Sequence, residues 1–107
     1  MATYQILYWH DIPLQVRARG EGGRGSAPLH GRFQEAADQA AMSAGLIGSD
    51  DYSNVLRWSD PQDRDGTARD VAAAVAAELE EQYPTVDWRA TARALRAQQA
   101  QQTEQTS

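Results

Sequence analysis

Three groupings in this chain carry side chains capable of chemistry: a His-Asp pair, a set of arginines beside a glycine run, and a cluster of aspartates. His10 and Asp11 are neighbours at the end of an aromatic segment, where a histidine and a carboxylate can exchange protons. The alternative is that Asp11 caps a turn while His10 stands in water. No activated serine, threonine or lysine accompanies them, so no residue is assigned a catalytic role. His10 and His30 are too far apart in sequence for helical pairing, and there is no cysteine. Neither a zinc site nor any other metal site is expected.

The stretch Gly20 to Gly25 reads GEGGRG and fits G-x-G-x-x-G letter for letter. A dinucleotide loop must open straight into a helix whose N-terminus holds the pyrophosphate. Here Ser26, Ala27, Pro28 and Leu29 intervene, and the mechanism fails. What survives is a simpler possibility, in which Arg17, Arg19 and Arg24 gather around glycine amides and hold an anion such as phosphate. With His10 and Asp11, these arginines form the candidate ligand set. Asp60, Asp63 and Asp65 before Gly66 suggest a calcium loop, but that alignment puts Pro61 and Ala72 where two carboxylates are required. The aspartates therefore read as a polar turn.

These groups must be positioned by a small number of elements. Thr3 to Trp9 (TYQILYW) is aromatic and β-branched, apolar on both faces, and predicts a central strand. A turn at His10 to Pro13 leads into Leu14 to Arg19, whose strict alternation predicts a half-exposed second strand and hence a hairpin. Gly20 to Pro28 predicts a loop. A first helix is expected from His30 or Gly31 to Ala44, with Gly45 at its left-handed end and Leu46 packing back. The segment 51–59 alternates like a third strand, with a short helix as the competing assignment. Residues 60–66 predict a polar loop. Thr67 caps a second helix that runs to Gln82 with Val71, Val75 and Leu79 inward, and Asp87 caps a third from Trp88 to about Gln99. Residues 101–107 are expected to form a disordered polar tail after a single α+β domain over residues 1–100.

The expected fold is a two-layer ββαβα arrangement. Its three-stranded antiparallel or mixed sheet has order 2-1-3, helices one and two cover one face, and a further helix closes the chain. The reverse face then needs its own cover. Leu7, Trp9 and Trp58 are expected there, with Trp88 on the last helix, and an uncovered aromatic patch marks a contact surface. The chain carries ten basic residues, all arginine, against fifteen acidic ones, a net charge of −5 over 107 residues. That balance disfavours nucleic acid. No apolar run is long enough for a membrane span, and with neither a leader nor cysteine the expected compartment is the cytoplasm.

Four segments, YQILYWHDIPLQV, RFQEAADQAAMSAGL, SDDYSNVLRW and AAAVAAELEEQY, resemble a small bacterial family labelled virulence factor. The resemblance covers about residues 3–83, and W-x-D-I-P (Trp9 to Pro13) and R-F-Q-E-A (Arg32 to Ala36) are its most specific parts. It is also similar to a segment of the larger conserved virulence factor C proteins, which add a domain like the N-terminal part of Nfu/NifU iron–sulfur scaffolds and HEAT-type repeats. The resemblance supplies no catalytic residues and no cofactor. The expectation is a non-catalytic accessory module that binds a protein partner or a second copy of itself. The alternative is a small enzyme or an anion-binding protein, with the family association implying a helper of iron–sulfur or one-carbon (corrinoid or folate) enzymes as one form of it.

Overall fold

The computed structural model describes residues 1–45 and 55–106. Strand β1 (Ala2–Trp9) is central, as its two apolar faces imply. Strand β2 (Ile12–Gly20) pairs with it antiparallel in the expected hairpin. The ladder is regular from Ala2↔Gly20 to Leu7↔Gln15 and then slips, because Tyr8 pairs with Pro13 and Leu14 is passed over. Such a bulge re-aims the residues around it.

The glycine-rich stretch is not a loop. Strand β3 (Gly23–Pro28) pairs with β2 from Gly20↔Gly23 to Gln15↔Pro28. Only Glu21 and Gly22 turn the chain, and Gly22 and Gly23 take φ values of +78° and +99° that disfavour other residues. Glycine serves a second purpose at Gly25, where a β-carbon would come within 2.7 Å of the Arg69 Cα. The composition that predicts a loop is in fact a tight turn followed by a strand pressed against a helix.

The other edge of β1 is shared by two short strands, β4 (Leu56–Trp58) and β5 (Gln62–Arg64), both antiparallel to it. β4 falls within the expected third strand, whose residues 51–54 lie outside the described residues. β5 replaces part of the expected polar loop. The two behave as one strand interrupted at Ser59 to Pro61. There the Ser59 amide donates to the Ile6 carbonyl at 2.8 Å, and the Ser59 hydroxyl accepts from the Ile6 amide at 2.9 Å. The path is therefore β3-β2-β1-β4, with β5 beside β4 on the same edge, a wider sheet than order 2-1-3.

Helix α1 (Gly31–Ser43) starts where His30 Nδ1 accepts from the Arg32 amide and ends before Gly45 at φ +76°. Leu46 lies outside the described residues. Helix α2 (Ala68–Gln82) is capped by Thr67, whose hydroxyl accepts from the Asp70 amide at 3.2 Å, and it buries Val71, Val75 and Leu79. Arg32 donates to the carbonyls of Glu80 and Tyr83, setting a cation on the negative end of α2. Helix α3 (Trp88–Thr106) begins at the Asp87 cap and buries Thr91, Ala92 and Leu95. It continues through residues 101–106, which the polar composition assigns to a tail. α2 packs across β3, β2 and β1, whereas α3 packs chiefly on α1. No described helix is long and apolar enough to cross a membrane.

Candidate binding face

Alternation along the regular ladder divides the sheet. Ala2 and Ile6 on β1, Val16 and Ala18 on β2, and Gly25 and Ala27 on β3 face α2. The residues between them face outward and form three rows. The first row runs Asp63, Thr3, Arg19, Arg24, and the second holds Gln5, Arg17 and Ser26. The third is Trp58, Leu7, Gln15, Pro28. Arg17, Arg19, Arg24 and Ser26 are exposed, while Leu7 and Trp58 are half-buried.

Arg17 is the best-held cation on this face. Its Nε and one terminal nitrogen donate to the Gln5 Oε1 at 3.3 and 2.9 Å, and its guanidinium carbon lies 3.8 Å from the centroid of Trp58. The side chain thus crosses β1 and lies over the indole in a cation–π contact. Gln5 is in turn anchored through its Nε2 to the Ser59 carbonyl at 2.9 Å. Beside this stack is a hollow of about 600 Å³ lined by Thr3, Gln5, Arg17, Arg19, Arg24 and Ser26, with Pro61 at its rim.

The arginines of the expected ligand set are brought together, but His10 and Asp11 are not with them. They lie at the opposite end of the hairpin. His10 takes φ +57°, and its Nδ1 is buried 3.4 Å from Asp11 Oδ1. Asp11 Oδ1 accepts a 2.6 Å hydrogen bond from the buried Thr91 hydroxyl. A carboxylate lying between histidine and hydroxyl reverses the nucleophile–base–orienter order that activates an alcohol. The arrangement tethers α3 to the hairpin tip.

The expected aromatic surface divides in three. Leu7 and Trp58 share the outward face as neighbours in the ladder. Trp9 is fully enclosed and is not part of an exposed patch, because the hairpin-tip end of the sheet is covered. The bulge adds its residue to β2, and the register of β1 with β4 is unbroken from Leu7↔Trp58 to Trp9↔Leu56, so Trp9 keeps the face of Leu7 and sits between Ile12 and Leu56 in the core. Ile12 and Pro13 are consecutive and both buried, so this end of the sheet is covered on both sides. Trp88 is half-buried elsewhere, in a shallow groove beside Arg32 and Gln39 of α1, with Arg89 over its ring at 4.5 Å.

Thr3, Gln5 and Ser26 are the residues that sequence reasoning left out. Gln5 carried a signal, being the one amide in an apolar strand and the register partner of Arg17 in the expected hairpin. Ser26 could not be placed without knowing that the glycine run is a strand.

Fold and face together define a two-layer α+β domain with an exposed, arginine-bearing region on its sheet. The chain matches the family model described as Virulence factor over residues 7–90, and it belongs to that family. Comparison with the curated proteins finds no match. Comparison with the solved structures finds none either.

Proposed function

We infer that this domain is a non-catalytic accessory module of a bacterial cytoplasmic protein or complex, docking on a protein partner through its outward sheet face. The observation that carries the reading is the Trp58–Arg17–Gln5 stack beside Leu7. Tryptophan and arginine are the side chains most often found to dominate binding energy, and here one orders the other before any partner arrives. The charge is also uneven. On a chain of net −5, three of ten arginines occupy this one face. A partner with an acidic patch around a small apolar centre complements it in sign and shape.

Capture from a lysate of the native organism, with the intact domain as bait, tests this. Trp58→Ala and Arg17→Glu should each weaken the captured contact by about 2 kcal/mol or more, roughly thirtyfold. A partner retained equally by both variants would refute docking through this face. Molecular mass in solution separates a partner from self-association, with a single-chain mass expected in isolation.

A further inference from the structure

The hollow beside the docking stack has a feature that docking does not explain. Arg19 and Arg24 are direct partners across the β2–β3 ladder. Like charges so opposed repel each other and cost stability. Neither guanidinium group has a hydrogen bond or an ion pair with a described residue. The nearest carboxylate in their row, Asp63, stands two strands from Arg19, roughly 10 Å at ordinary strand spacing, and already accepts from the Thr3 hydroxyl at 2.7 Å. Arg17 lies two residues along β2 on the same face, and its bonds to Gln5 leave three of its five donors unused. Ser26, the ladder partner of Arg17, adds a hydroxyl.

We propose that the Arg17–Arg19–Arg24 hollow is a binding site for a phosphoryl group carried as a phosphate monoester. A carboxylate would offer one charge and two coplanar oxygens. A tetrahedral dianion offers three oxygens to three guanidinium groups arrayed on two strands around one hollow. The Ser26 hydroxyl at its edge suits a remaining acceptor position. The hollow is also far larger than a lone carboxylate needs. The inference goes beyond docking and does not rest on it, because the opposed guanidinium groups are unpaired by any described residue in either case.

The test is an NMR titration of the full chain at constant ionic strength, following the amides of Gly25 and Ser26 and the arginine Nε–H signals. The probes are inorganic phosphate, O-phosphoserine as the free amino acid, and a phosphoserine peptide flanked by neutral residues, with acetate and chloride as controls. Saturable shifts confined to these signals are expected with all three phosphates. Arg19→Gln and Arg24→Gln should each weaken the response about tenfold, the usual weight of one charge-assisted contact. Binding should also weaken between pH 7.5 and pH 5.5, as the monoester dianion is protonated to the monoanion near pH 6. A peptide that binds at least tenfold better than the free amino acid assigns the group to a protein, and the reverse order assigns it to a small molecule.

Because removing one of two opposed charges relieves repulsion, Arg24→Gln should keep or raise the melting temperature while losing phosphate. Loss of phosphate binding is then separable from loss of fold. No saturable shift, an equal response to acetate, or full retention of binding in Arg24→Gln would overturn the proposal. Failure here with Trp58-dependent partner capture intact would leave docking standing, and the converse result would do the opposite.

Discussion

The two ends of the β1–β2 hairpin use large side chains in opposite ways. At the tip, Trp9, Ile12 and Pro13 are enclosed, and Asp11 is bound to α3 through the Thr91 hydroxyl. At the turn end, Arg19 and Arg24 are exposed, and no described residue pairs with their guanidinium groups. The difference teaches that burial on this sheet depends on position along the strands as much as on face. The tip is where the fold is held together, and the turn end is where it can meet something else.

The sharpest way to break the contrast is to hollow out the tip. Trp9→Ala should cost roughly 3–5 kcal/mol, the usual range for truncating an enclosed tryptophan, read as a lowered denaturation midpoint in urea. Since a domain of this size is stable by only about 5–15 kcal/mol, that is a large fraction of the total. Trp58→Ala on the outward face should cost far less, and equal losses would erase the distinction. Thr91→Val keeps the shape but removes the hydroxyl from Asp11. About 1 kcal/mol should be lost, with faster amide exchange confined to the start of α3.

The smallest effect belongs to the turn end. Arg64 on β5 grips Glu78 of α2 through both terminal nitrogens, at 3.1 and 2.6 Å. That hydrogen bond holds the Glu78 carboxyl below its ordinary value of 4.5 and raises the Arg64 guanidinium. A depressed folded-state value means that stability is fully present above the unfolded pKa and fades as pH falls through the folded one. The wild type should therefore lose slightly more melting temperature than Glu78→Gln between pH 6 and pH 3, and the gap should shrink in high salt. An identical acid profile in the two proteins would mean that the pair contributes nothing.

Much of this was legible in the residues. The hairpin followed from alternation in LQVRAR, and the helix boundaries from Thr67, Asp87 and Gly45, because caps are local chemistry. Glycine was ambiguous, since the same residue serves a loop, a tight turn and close contact with a helix, and only tertiary packing at Gly25 decides among them. β5 was hidden because Gln62 to Arg64 looks like a polar turn and becomes a strand only by pairing with β1. The enclosure of Trp9 was hidden because counting by twos gives the face of a residue and not what covers it, and the cover at the hairpin tip is a matter of tertiary packing. The arginine set was legible because Arg17 and Arg19 share a strand face whatever lies beside them. Its separation from His10 and Asp11 follows from strand length alone.

The contact between Gly25 and the start of α2 has a last consequence. The Glu21 carbonyl accepts from the Ala68 amide at 2.9 Å, so the turn as well as the strand is fastened to that helix. The backbone bearing Arg24 and Ser26 is thus a fixed ledge and not a swinging flap. A ligand arriving there has only side-chain rotamers left to order, which favours quick capture and release over slow closure.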